Sequence, residues 1–314
     1  MKFTVLGVAL AAALAVPAHA DTYTIIAPAN PGGGWDATAR SMQEVLQAEG
    51  IAKSVEVVNV PGAGGTVGLA QFVAGNAGDP TKLIVGGYVM VGAILTNNSP
   101  VSLKDVTPIA RLTGDTQAIV VPAASDIQTL GDLVAKLKAD PGAVSWAGGS
   151  AGGTDHITVG LLAKAAGVDP TKINYIAFSG GGEAMAAILG NQVTAGVSSV
   201  GEFAEQVKAG TMRLLAVSSE ERLPGIDAPT IKEAGFDVAV QNWRMIAAAP
   251  GLSAEQVAKI SADIEKLNAS AGWTSMLATK GWANTYLAGD AFKAQLEADI
   301  TATEAVLRDI GLVK

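Results

Sequence analysis

Gly148-Gly149-Ser150-Ala151-Gly152 has the G-x-S-x-G spacing of a nucleophile elbow, in which a serine is exposed on a tight strand-to-helix turn. Attack by such a serine needs a histidine base further along the chain and a carboxylate to orient the imidazole. The chain has 2 histidines and no cysteine. His19 lies in the N-terminal segment, and His156 stands six residues past Ser150, on the helix expected to follow it. A base that close on the next helix cannot easily serve the serine. A serine hydrolase using Ser150 is therefore the alternative, and His156 reads as a structural residue. A single histidine without cysteine also leaves no zinc-ligand set.

Ser150 belongs to a device used four times. Each time a short β-rich run ends in glycines and small polar residues, and a helical pattern follows. The loops are Pro28-Ala29-Asn30-Pro31-Gly32-Gly33-Gly34-Trp35-Asp36, Pro61-Gly62-Ala63-Gly64-Gly65-Thr66, Ala147-Gly148-Gly149-Ser150-Ala151-Gly152-Gly153-Thr154 and Ser179-Gly180-Gly181-Gly182-Glu183. In a parallel sheet such loops share the carboxyl edge, where ligands bind. Glycine lets backbone N–H groups approach a ligand, and a helix N-terminus adds unpaired donors and the positive end of its dipole. Any one loop could be a tight turn alone. Four of them interleaved with Ser and Thr favour an anion site built without Lys or Arg. Accordingly no single cation among Arg40, Arg111, Arg213 and Arg244 is expected to dominate binding. None of the loops is a P-loop, and Gly62-Ala63-Gly64-Gly65-Thr66-Val67 fails the third glycine of the dinucleotide fingerprint.

The elements that position these loops follow from the hydrophobic pattern. Strands are expected at 23–26, 55–60, 83–85, 119–121, 144–146, 175–178 and 214–217, and helices at 35–47, 67–73, 130–138, 156–166 and 183–189. That alternation predicts an α/β fold with largely parallel sheets. Two closing helices follow, one from Ser253 with Gln256 as its capping-box partner, the other over 290–309.

Lys2, the apolar run from Leu6 to Val16 and the Ala18-His19-Ala20 site form a secretory signal peptide, with cleavage expected after Ala20. The run is too short to span a bilayer. The chain carries 21 Lys and Arg against 29 Asp and Glu, a net charge of −8, which argues against a nucleic-acid or anionic-membrane partner. Export without cysteine fits a bacterial periplasm. At 49% apolar residues and 314 in all, the chain can build two domains.

The loops also resemble a known family, the Bug-type solute-binding receptors of tripartite tricarboxylate transporters. The resemblance runs through Pro31-Gly32-Gly33-Gly34-Trp35-Asp36 with Ala39-Arg40, Val60-Pro61-Gly62-Ala63-Gly64-Gly65, Gly153-Thr154-Asp155-His156, Gly180-Gly181-Gly182-Glu183-Ala184, and Arg213-Leu214-Leu215-Ala216-Val217 with the 228–235 segment. Ala29 and Val60 stand where many members carry Phe and Arg, and the chain is in this respect more similar to the tricarboxylate-receptor branch. The resemblance implies a two-lobed, type II-like periplasmic binding protein with two crossover strands and a ligand cleft between the lobes. The crossings are placed near Pro122 and Trp243, so that lobe one holds 21–122 and 244–314 and lobe two 123–243. By position it points to Asn30, Gly33, Asp36 and Thr66 in lobe one and to Ser150, Thr154, Ser179 and Ser198 in lobe two. Gly32, Gly65 and Gly180 join them as loop glycines, and Trp35 as a wall of the cleft. The implied function is capture of a di- or tricarboxylate such as citrate or a C4 acid, without enzymatic turnover, cofactor or metal. The implied partners are a large and a small membrane subunit, the receptor itself being a monomer. A ligand-presenting sensor is the further alternative.

Overall fold

A computed structural model describes residues 21–178 and 181–314. The signal-peptide segment and the predicted site residues Ser179 and Gly180 lie outside the described residues. Strand β1 (Asp21–Ala27) buries Tyr23, Ile25 and Ala27 on one face, the two-residue period of a strand. Helix α1 (Gly34–Ala48) buries Trp35, Ala39, Met42, Val45 and Leu46, the three-to-four spacing of an amphipathic helix. β2 (Ala52–Asn59), α2 (Thr66–Gly75), β3 (Lys82–Gly87) and α3 (Tyr88–Thr96) complete the first run. β1 pairs in parallel with β2 and β3.

β4 (Thr107–Pro122) is far longer than the 119–121 run that hydropathy marks, because Gly114, Asp115 and Gln117 interrupt its apolar pattern. From Thr107 to Thr116 it pairs antiparallel with β9 (Gln241–Ala248), and from Gln117 onward with β7 (Ala195–Ser199). The sheet thus changes partners between Thr116 and Gln117, and the return strand joins the first sheet at Gln241. These positions lie a few residues from Pro122 and Trp243.

Beyond the change come α4 (Leu130–Ala139), β5 (Ser145–Gly148), α5 (Thr154–Ala165), β6 (Asn174–Ala177), α6 (Gly181–Leu189), α7 (Val200–Lys208) and β8 (Met212–Val217). β5 pairs in parallel with β6 and β7. All pairings of β4 and β9 are antiparallel, including that of β4 with β10 (Ala283–Ala288), so the sheet is mixed and the expectation of largely parallel sheets is corrected. Each parallel pair is linked through one or more crossover helices, as parallel pairing requires. α8 (Ala254–Ala269) opens on the expected capping box, Ser253 with Gln256. α9 (Ala271–Lys280) and α10 (Gly289–Asp309) follow.

The two largest buried clusters lie one in each lobe: the first gathers Met42, Phe72, Trp243, Trp273 and Phe292, the second Ile119, Trp146, Leu162 and Leu215. α10 starts on the first core through Phe292 and Leu296, but its far end packs Leu307 and Ile310 against Ile157 of α5. Lys164 and Asp309 form an ion pair at 2.6 Å beside that contact. Among the described residues no helix is long and apolar enough to cross a membrane.

Candidate ligand-binding site

A cavity of about 620 Å³ lies between the two lobes, walled by the loops that end β1, β2 and β5 and by the strands that connect the lobes. That volume is in the range of small-molecule sites. The wall includes Asn30, Gly33, Trp35, Gly65, Ser150, Thr154 and Ser198 from the predicted set.

On the first lobe, α1 begins after Gly33 with no side-chain cap, so its first-turn N–H groups are left for another acceptor. Asp36, on that first turn, does not face the cavity. Its carboxylate takes the Gly32 N–H at 2.8 Å, the Arg40 guanidinium at 3.0 Å and the Asn59 amide at 2.9 Å. Asn59 also donates to the carbonyl of Ala29 at 3.0 Å. Burial pushes the Asp36 carboxyl up, but the bonds from Arg40, Gly32 and Asn59 outweigh it and hold it below the ordinary range. Gly32 and Asp36 therefore fasten the loop from behind and are not in the wall. Thr66 is also behind it, its hydroxyl donating to the Ala63 carbonyl at 2.9 Å. Gly65 has φ +90°, and a Cβ there would stand 2.6 Å from the Trp35 ring, so a glycine at this position lets the second loop seat the indole of the first.

On the second lobe, α5 likewise starts without a side-chain cap, after Gly153. Asp155 accepts the Gly149 N–H at 2.7 Å, which folds the Gly149–Gly153 loop over the helix end. Ser150, Thr154 and Asp155 all reach the wall, and the Thr154 hydroxyl is buried with no hydrogen-bond partner. Ser198 donates to Glu202 of α7, and both are in the wall. Burial pushes the Asp155 carboxyl up to about 8, against the bond from Gly149, and raises that of Glu202 as well. Phe178 and Glu183, which flank the undescribed Ser179 and Gly180, are wall residues.

His156 is not in the wall. Its Nδ1 accepts the Gly152 N–H at 3.3 Å, and its ring stacks on Tyr175 with centroids 4.0 Å apart. Burial lowers it to about 4, so the imidazole is neutral at pH 7. It holds the Gly149–Gly153 loop in place, as a structural residue does.

Where the strands pass between the lobes, sequence reasoning missed the charged groups. Arg244 of β9 lines the cavity, is 3% exposed and is paired with Asp115 of β4. Its guanidinium also lies 4.9 Å from the Trp282 ring, and its Nη1 is buried without a partner. Gln117 places an unpartnered Oε1 in the same region. The other three arginines have different duties. Arg40 serves Asp36, Arg111 donates to the Thr285 carbonyl at 2.9 Å, and Arg213 donates to the carbonyls of Ala123, Ser125 and Ile127. Of these four arginines, Arg244 alone reaches the wall. The signal was available, since Trp243-Arg244-Met245-Ile246-Ala247-Ala248 sets one charge at the head of an apolar run, and a charge in a buried strand needs a reason. Among the described residues no group of three or more acidic, His or Cys side chains is arranged to hold a metal ion.

Comparison with known proteins fits this geometry. A family model described as the tripartite tricarboxylate transporter family receptor matches residues 38–312. Protein BugT of Bordetella pertussis is 28% identical over 320 residues, covering 98% of this chain and 96% of BugT. The solved structure of the periplasmic binding protein BugD is similar with a TM-score of 0.83 at 23% identity, over 94% of this chain and 99% of that one. MatC from Rhodopseudomonas palustris, solved with bound malate, is similar with a TM-score of 0.77 at 24% identity, over 91% and 99%.

Proposed function

The chain belongs to the tripartite tricarboxylate transporter receptor family, and from that premise we propose that it captures a small organic di- or tricarboxylate in the periplasm. It acts by binding and release, without turnover, and delivers the acid to a large and a small membrane subunit. One observation carries the ligand class. Uncapped N-termini of α1 and α5, from opposite lobes, meet the unpartnered Nη1 of Arg244 around one cavity. Helix ends of this kind stabilise anions, and a guanidinium suits a carboxylate. The cavity volume accommodates a four- to six-carbon acid, and the malate seen in MatC makes malate the first probe.

The lobes close on the ligand about the points where β4 changes partners and β9 joins the first sheet, so the expected bodies, 21–122 with 244–314 and 123–243, have their borders moved to 116/117 and 240/241. A thermal-shift and calorimetric series with malate, succinate and citrate tests the reading. A ligand at a hundredfold its dissociation constant stabilises by about 2.7 kcal/mol, a readily measured rise in Tm. Sugars and cationic amino acids should give none. Binding of a sugar or a cationic amino acid with no response to any of the three acids would overturn it.

A further inference from the structure

The cavity wall holds more acid than base. Asp155 and Glu202 both face it, and among the described residues its only Lys or Arg side chain is Arg244, already committed to Asp115. Ionised together, these groups would set three carboxylates against one guanidinium. A dicarboxylate would bring two more negative charges into the same poorly hydrated space, which like-charge repulsion forbids. Either the wall acids carry protons or the ligand carries positive charge.

The local bonding favours protons on the wall. Each acid has one oxygen held by a donor, Oδ2 of Asp155 by the Gly149 N–H at 2.7 Å and Oε2 of Glu202 by the Ser198 hydroxyl. Oδ1 and Oε1 have no hydrogen-bond partner among the described residues. Beside them, Arg244 Nη1, Thr154 Oγ1 and Gln117 Oε1 are buried and unpartnered, so polar groups of a ligand are wanted here. The charged and titratable groups around Asp155 come from six elements: His156 on its own helix, Glu202 on α7, Asp115 on β4, Arg244 on β9, Tyr175 on β6 and Glu183 on α6. His156 is neutral and Arg244 is balanced by Asp115, so among the described residues no free positive charge compensates the pair.

Resting on the receptor reading above, we propose that Asp155 and Glu202 are held as carboxylic acids and donate their O–H groups to a carboxylate of the bound ligand. Uptake of the acid is then linked to protons, and the class of ligand is a polyanionic carboxylate without an ammonium group. No covalent step is involved; each proton stays shared between two carboxyl oxygens. The upward displacement of both wall acids by burial supports this.

The test has two arms. In the first, ligand-free protein with ¹³C-labelled Asp and Glu is titrated by NMR, the two signals being assigned with Asp155→Asn and Glu202→Gln. Both carboxyls should still be protonated at pH 7; ordinary midpoints for both would overturn the proposal whatever the ligand. In the second, malate is titrated calorimetrically between pH 6 and 10 in buffers of different ionisation heat. Wild-type affinity should fall with pH above about 8, by up to tenfold per pH unit for each required proton, with proton uptake on binding rising in step, because each required proton must then be recruited. Asp155→Asn keeps an acceptor for Gly149 and supplies a permanent N–H donor. It should flatten the pH profile and bind malate more tightly than wild type at pH 10. A variant weaker than wild type at pH 10, or a wild type that prefers aspartate to malate and loses it on the Asn substitution, would show an ammonium-accepting carboxylate instead. A cavity that takes none of malate, succinate and citrate sinks the receptor reading and this ligand with it; absent protons sink this proposal alone.

Discussion

Gly34 stands against the guanidinium of Arg244: a Cβ placed on it would lie 2.7 Å from Nη2 and 3.2 Å from Cζ. The contact ties the N-terminus of α1 to β9, so the helix-end donors and the cation act on one space. Arg244 could yield only by loosening its pair with Asp115 or its place near the Trp282 ring. Gly34→Ala should therefore reduce malate affinity tenfold or more while circular dichroism stays native. Calorimetric titration of the variant checks it, and unchanged affinity would mean that Arg244 has slack or does not meet the ligand.

Removing Arg244 should do two separable things. It deletes a cavity donor, and it leaves Asp115 buried without its partner. Breaking a buried pair from one side costs about 3–5 kcal/mol, whereas replacing both members with neutral groups costs far less. Arg244→Gln should thus lower stability in urea, and adding Asp115→Asn should recover much of it without recovering malate binding. If the double variant binds as wild type does, the helix ends suffice and Arg244 is only structural.

The glycine loops were legible because their signal is local: composition, spacing and the helices after them. The two-lobed plan came from the family resemblance that these motifs carry. The buried charges were less legible because their meaning depends on contacts across the sequence. Asp115 meets Arg244 over 129 positions, and neither has a neighbour in sequence that announces the other. Asp36 misled for the opposite reason. A carboxylate in a first helical turn suits the dipole, and nothing in the sequence says whether it turns toward a ligand or back to Gly32 and Asn59. β4 was read short since Gly114, Asp115 and Gln117 break its apolar run, yet these residues flank the change of strand partners, and Gln117 lines the cavity. α3 escaped because Tyr88–Thr96 is apolar on every side and so shows no helical period.

The lobes also touch at the edge of the cavity, through residues that do not line it. A Cβ on Gly92 of α3 would come within 1.9 Å of the Gly152 carbonyl oxygen, and one on Gly152 within 2.5 Å of Thr96. Backbone cannot retreat as a long side chain can. Gly92→Val should hold the lobes apart, enlarge the radius of gyration seen by small-angle scattering, and weaken malate binding at least tenfold with the cavity residues intact. A variant that scatters and binds like wild type would show that the contact is soft or absent in solution.

The buried Asp155 makes a prediction that needs no ligand. Its carboxyl is raised by burial to about 8, against about 3.9 in an unfolded chain. Between those values the folded protein keeps a proton that the unfolded chain releases. Protons bound by the native state exceed those bound by the unfolded state, so stability from this group is fully present at pH below 3.9. It is lost as pH rises toward 8, at up to about 1.4 kcal/mol per pH unit, and levels off above. Asp155→Asn cannot ionise and keeps an acceptor for the Gly149 N–H. The variant should match wild type near pH 4 and become progressively more stable than wild type up to about pH 8, with the difference constant beyond. Urea denaturation of both proteins at pH 4, 6, 8 and 9 gives the difference directly, with the titration of all other groups cancelling. A difference that does not change with pH would mean that Asp155 ionises in the folded protein as it does in water, and that the acid wall of the cavity is charged.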